Sequence, residues 1–113
     1  MGCRWTRIGW ALPAIVACAS LAAAAGRGQD DSANLYKAKC AVCHATDGSG
    51  NTPTGKKLGA RDFESEELSK ESDDQLEEIT AKGKNKMPGY AKSLNESQIK
   101  GLVTYIRELG KKK

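Results

Sequence analysis

Five consecutive residues, Cys40-Ala41-Val42-Cys43-His44, place two thiols and an imidazole within a little more than one helical turn. Side chains at i, i+3 and i+4 share a helix face, so these three groups point the same way. Thiols at that spacing reach two vinyl groups along one porphyrin edge and form thioethers. The imidazole then stands beneath the ring with a nitrogen aimed at iron. C-x-x-C-H is accordingly the attachment signature of c-type haem. Two other chemistries fit less well. A structural zinc site needs four protein ligands, and the chain has no other His and no other nearby Cys. A thioredoxin-like dithiol belongs in a βαβ setting, and no strand-like run is visible.

Iron held by one His has a sixth position to fill, and Met87 is the expected ligand. Met1 falls in the leader described next, which leaves Met87 as the one remaining thioether. A lone Met commonly fills a core. Met87 instead sits in the polar run Lys84-Asn85-Lys86-Met87-Pro88-Gly89-Tyr90, with no apolar periodicity around it. Pro88 biases the residue before it towards extended backbone, which helps hold the side chain.

The elements that must position these groups follow from the rest of the chain. Arg4 and Arg7 precede an apolar stretch from Ile8 through Ala25, and Gly26 to Asp31 turn polar. Residues 1–25 read as a secretory signal peptide with a small-residue cleavage site at Ala23-Ala24-Ala25. Ile15-Val16-Ala17-Cys18 also resembles a loose lipobox, which gives lipid anchoring through Cys18 as the alternative. Without the leader the 113-residue chain keeps residues 26–113 as one small domain. It loses Arg4 and Arg7 from 18 basic residues and keeps all 14 acidic ones, so its formal charge falls from +4 to +2. Cys3 and Cys18 go as well, and no thiol is left for a disulfide. A core of this size is marginal by itself, and a covalently attached haem supplies the missing apolar mass. The near-neutral balance, with no aromatics among the basic residues, excludes a nucleic-acid binder.

Residues 26–31 read as a flexible leader, and a helix is expected from about Ser32 to Ala45, capped by Ser32 or Asp31. The segment from Thr46 to Arg61 is rich in Gly and reads as loop. Gly50 to Lys57 nearly spells a P-loop, but Lys57 stands where a hydroxyl belongs and no strand precedes it. Between Asp62 and Glu78 nine acidic residues face Lys70 alone, which reads as a solvated surface. Ser72-Asp73-Asp74-Gln75 and Asn95-Glu96-Ser97-Gln98 are capping boxes, each opening a helix. The first should stop at Gly83. The second carries Ile99, Leu102, Val103 and Ile106 at the spacing of one apolar stripe and ends at Gly110.

With Cys40, Cys43 and His44 after an N-terminal helix, Met87-Pro88 in a late loop, and a C-terminal helix containing Leu102 and Tyr105, the chain resembles the class I cytochromes c, of the short bacterial or c6-like type. The resemblance covers residues 26–113. It implies an all-α fold in which the N- and C-terminal helices cross, with loops and a middle helix wrapped around one haem c. It implies that Tyr36 and Tyr105 meet at the crossing, and that Ser32 stands where the family usually has Gly. It implies that a Pro after the His lends its carbonyl to the His ring nitrogen, for which Pro53 is the candidate. The expected site is therefore Cys40 and Cys43 as thioethers, His44 and Met87 as axial ligands, and Pro53 as the carbonyl partner.

The expected function is a periplasmic one-electron carrier, a monomer without a membrane span in its mature part. A haem enzyme or ligand sensor that opens the Met-ligated site is the alternative, as is an electron-entry subunit of a larger complex. Partners are redox proteins or membrane respiratory or photosynthetic complexes. Lys82, Lys84, Lys86 and Lys92 surround Met87 with no acid among them, a patch suited to steering an acidic docking surface.

Overall fold

The computed structural model describes residues 25–111. The leader, its cleavage site and Cys18 lie outside the described residues. Six helices follow in order: α1 Ala25–Lys39, α2 Ala41–His44, α3 Pro53–Leu58, α4 Glu66–Lys70, α5 Asp73–Lys82 and α6 Glu96–Gly110. Among the described residues there is no strand, only an isolated bridge between Lys84 and Met87. The fold is all-α, as the sequence predicts.

The two capping boxes form. At α5, Ser72 N–H donates to Gln75 Oε1 at 2.8 Å and Gln75 N–H returns to Ser72 Oγ at 3.2 Å. At α6, Asn95 and Gln98 make the same exchange at 2.9 and 2.8 Å. Each box satisfies two of the N–H groups that a helix start leaves without partners. Gly83 caps α5 with φ 82°, a region glycine enters without steric cost.

Three expectations need correction. Residues 26–31 belong to α1, and neither Asp31 nor Ser32 caps it. Ser32 is buried inside the helix and its hydroxyl donates to Gly28 O at 2.9 Å, the local bond that lets Ser sit in a helix interior. The single helix expected to Ala45 is two, interrupted at Cys40. The Gly-rich segment after His44 contains α3, with Thr52 Oγ1 accepting from Gly55 N–H at 2.8 Å, Pro53 at the first position and Gly59 at φ 73°. Inside the acidic stretch, Ser65 caps the five-residue α4, whose Leu68 is buried.

The core lies where α1, α5 and α6 converge. Tyr36, Leu102 and Val103 are its most deeply buried large side chains, with Leu68, Leu76, Ile99 and Leu109 packed around them. Helices α1 and α6 cross at Ser32 and Gly101. A Cβ on Gly101 would lie 2.5 Å from Ser32 Oγ, so the absent side chain on α6 makes room for the Ser on α1. One turn further, Tyr36 and Tyr105 meet with ring centroids 5.2 Å apart. Arg107 of α6 reaches the α4–α5 corner, where its guanidinium donates to Asp73 Oδ1 at 2.9 Å, to Leu68 O at 3.1 Å and to Glu71 O.

Candidate haem site

Cys40, Cys43 and His44 sit at the α1–α2 joint. Cys40 N–H still bonds Tyr36 O at 2.8 Å and His44 N–H bonds Cys40 O at 2.9 Å, so helical spacing survives the interruption. Cys40 is buried and Cys43 half-buried, and no disulfide joins them. Burial pushes the Cys40 thiol up to about 11, against the smaller pull of Lys39. A thiol so disposed stays protonated at neutral pH. That is unlike the low-pKa thiolate of a dithiol redox pair.

The imidazole of His44 is fixed on two sides. It stacks on Phe63 with centroids 4.7 Å apart and an interplanar angle of 22°. Its Nδ1 lies 3.2 Å from Arg61 O, so the proton on Nδ1 donates to that carbonyl and the Nε2 lone pair is left for a metal. Burial lowers the imidazole below its ordinary value, with the Arg61 carbonyl acting in the opposite sense. The neutral ring, the form that can ligate, is therefore favoured. Pro53 does not supply the carbonyl. As the first residue of α3 its C=O points along that helix, whereas the chain beyond Gly59 passes under the imidazole and presents Arg61.

Met87 is held by a tight turn. Met87 N–H donates to Lys84 O at 2.9 Å and Lys84 N–H to Met87 O at 3.1 Å, with Asn85 at φ 54°. Asn tolerates this left-handed position better than most residues. The turn is anchored to α5 by Tyr90 N–H on Thr80 O at 2.9 Å, and to the end of α1 by Tyr90 Oη–H on Lys39 O at 3.2 Å. Cys40, Cys43, His44 and Met87 thus line one cavity of about 240 Å³, with Ile79 and Pro88 among its apolar walls. A wider open groove of about 710 Å³ between α1 and α6 contains no Cys, His or Met and has no comparable chemistry.

The donor set fits a covalently attached haem: two thiols at helical spacing, an imidazole with its outer nitrogen already engaged, and a thioether lining the same cleft. Of the four lysines around Met87, Lys84 and Lys86 line the cavity. Lys82 is committed to Glu78, Nζ to Oε1 2.7 Å, on the exposed side of α5. Lys92 is exposed and is not part of the lining. Three site residues escape sequence reasoning. Arg61 closes the Gly-rich segment that reads as loop, and Phe63 sits in a stretch that offers only acidic composition as a signal. Tyr90 closes a loop where only its Pro and Gly speak.

Comparison with known proteins agrees with this geometry. Residues 28–106 match the family described as cytochrome c oxidase, cbb3-type, subunit III. A cytochrome c6 from a Synechococcus species is 30% identical over 82 residues, covering 73% of this chain and 70% of that protein. The solved structure of the KustC0563 c-type cytochrome is 34% identical, with a TM-score of 0.66 over 72% of this chain and 99% of the other. The chain belongs to the c-type cytochromes, as a small class I cytochrome c with one covalently bound haem c.

Proposed function

We propose that this haem-based electron carrier holds its group through Cys40 and Cys43 and ligates iron with His44 and Met87. The observation that carries the reading is that these four side chains, separated by up to 47 positions, line one cavity. Haem c supplies a one-electron ferric–ferrous couple. The chain's residues keep that couple from binding substrate: His44 is fixed by Phe63 and the Arg61 carbonyl, and Met87 by its turn. A Met sulfur favours the ferrous state relative to a second His. A haem enzyme would need an acid–base residue beside an open site. His44 is the chain's one histidine, and Arg61, the arginine on the cavity, is committed to Glu71. Glu67, the carboxylate on the cavity, is largely exposed and 3.9 Å from Arg61.

The carrier works after export, in the periplasm, and docks on an acidic redox partner through the rim formed by Lys84 and Lys86. A second arrangement is favoured by the match to an oxidase subunit, in which the same domain serves as the electron-entry subunit of a larger complex. Acid–organic extraction of the purified protein tests the attachment: colour stays with the polypeptide, and haem that partitions away refutes the thioethers. Gel filtration of native extracts separates the arrangements, since a free carrier elutes at its own mass. Intact mass decides the leader: a chain beginning near Gly26 fits the signal peptide, and acyl groups on Cys18 fit the anchor.

A further inference from the structure

The carbonyl that receives the His44 proton comes from a residue in no helix, between Gly59 at the end of α3 and Ser65 at the start of α4. Backbone bonds hold either side of it, Ala60 N–H on Gly55 O at 2.8 Å and Phe63 N–H on Gly48 O at 2.9 Å. Arg61 itself is anchored by its side chain. Its guanidinium takes Glu71 in a fork, Nη1 to Oε1 2.8 Å and Nη2 to Oε2 3.1 Å. Glu71 is in turn held from α6, because Arg107 donates to its backbone oxygen.

The pair is shielded, at 28% and 19% side-chain exposure, so it is not one of the solvated ion pairs that contribute almost nothing. A bidentate Arg–carboxylate contact also fixes direction, which a single ammonium does not. The three exposed Lys–Glu pairs on α4, α5 and α6 are of the weaker kind.

We propose that the Arg61–Glu71 pair is a positioning device for the axial imidazole. Glu71, clamped by Arg107, holds the Arg61 side chain and so aims the Arg61 carbonyl at His44 Nδ1. The proposal rests on His44 being the iron ligand. A hydrogen bond from Nδ1–H makes the opposite nitrogen a stronger donor, and a stronger donor stabilises the more highly charged ferric ion. Loosening the pair therefore moves the ferric–ferrous equilibrium towards ferrous and exposes the Nδ1 proton.

The test uses the haem-loaded protein. Arg61→Ala, Arg61→Lys and Glu71→Gln are compared with the parent by redox titration and by proton NMR exchange of the His44 ring N–H. We expect Arg61→Ala to speed ring-proton exchange. Its lost positive charge on the cavity by itself favours ferric. The shift towards ferrous, at most about fivefold or roughly one hydrogen bond, is therefore read in Arg61→Lys, which keeps the charge and loses the fork. Glu71→Gln should move both readouts in the same direction by less, because the amide retains one hydrogen bond. Glu66→Gln, on the short helix α4 but paired with Lys70 and off the cavity, should leave both unchanged. Arg61→Glu combined with Glu71→Arg should recover part of the loss, which a general packing defect would not allow.

Arg61→Lys and Glu71→Gln that leave potential and exchange at parental values overturn the proposal. If Arg61→Ala does not accumulate, the same two readouts on Arg61→Lys decide. A parent that carries no low-spin c-type haem would overturn the reading of the site instead, before any variant is compared.

Discussion

Gly55→Ala sets two effects of opposite sign against each other. Gly55 is the third residue of α3 and is buried. By helix propensity alone, alanine should stabilise, by at most about 1 kcal/mol. The structure leaves no room for the methyl group. A Cβ at that position would lie 2.1 Å from Cys43 O and 2.5 Å from Gly50 O, both backbone atoms that cannot swing away. Forced overpacking costs about 1–3 kcal/mol, and two backbone contacts put this case near the upper end. The net expectation is a loss of about 2 kcal/mol, a fall in Tm of roughly 8–16 °C for a domain of this size. Gly28→Ala provides the reference. Gly28 lies in α1 with nothing within 4 Å of an added Cβ, so it should gain roughly 0.5–1 kcal/mol. Thermal unfolding of the haem-loaded protein, followed by circular dichroism at 222 nm, reads both. A Gly55→Ala protein as stable as the parent would show that α3 does not press on the Cys43 carbonyl, and the close approach of α2 to α3 would be withdrawn.

Met87→Ala should abolish the weak far-red sulfur-to-iron absorption of the oxidised protein and lower its potential. It should also let cyanide bind readily; a parent that already binds cyanide at once would refute the ligand assignment. Cys40→Ala should impair maturation, read as the ratio of haem absorbance to protein, and an unchanged ratio would count against the thioether. The hydrogen bond from Arg61 holds the Glu71 carboxyl below its ordinary value of 4.5, so this pair contributes stability above that pH. The contribution is lost as pH falls through the lower folded value. Glu71→Gln should therefore flatten the acid limb of a stability–pH curve below about pH 4.5, and parallel curves would show no such linkage. Electron transfer to an acidic partner should slow as salt rises, through screening over about 8–10 Å, and a flat rate would remove Lys84 and Lys86 from docking.

The parts of this molecule legible in its sequence are those specified locally. Asn95 and Gln98 announce α6, Ser72 and Gln75 announce α5, and the apolar stripe of α6 buries Ile99, Leu102 and Val103 as its spacing requires. Cys40, Cys43 and His44 are legible for the same reason, since one helical turn sets their geometry. Met87 is proposed by elimination, as the one thioether outside the leader. What stays hidden depends on where the chain travels. Arg61 rather than Pro53 meets His44 because α3 carries Pro53 away and Gly59 turns the chain back; Gly59 signals a turn in the sequence but not where the returning chain goes. Thr52-Pro53 and Ser65 are genuine start signals, yet they open helices of six and five residues, too short for any apolar periodicity to show. Ser32 misleads differently. A Ser ahead of a helical pattern suggests a cap, and only Gly101 on the far side of the chain explains its burial between helices.

The reach of Arg107 has a consequence for the order in which this protein assembles. Its three acceptors, at Leu68, Glu71 and Asp73, lie between 34 and 39 positions upstream. Every residue that lines the cavity is already synthesised before α6 appears. Until α6 docks, the α4–α5 corner has no clamp and Tyr36 lacks Leu102 and Val103 beside it. Such long-range contacts are the slow ones, because the intervening chain must lose its freedom before they form. The cavity is no more local than its clamp, since Tyr90 meets Lys39 across 51 positions and Arg107 meets its acceptors across 34 to 39. The residues that would hold the haem all precede α6 in the chain, so the helix that completes the core behind them adds no group to the site itself.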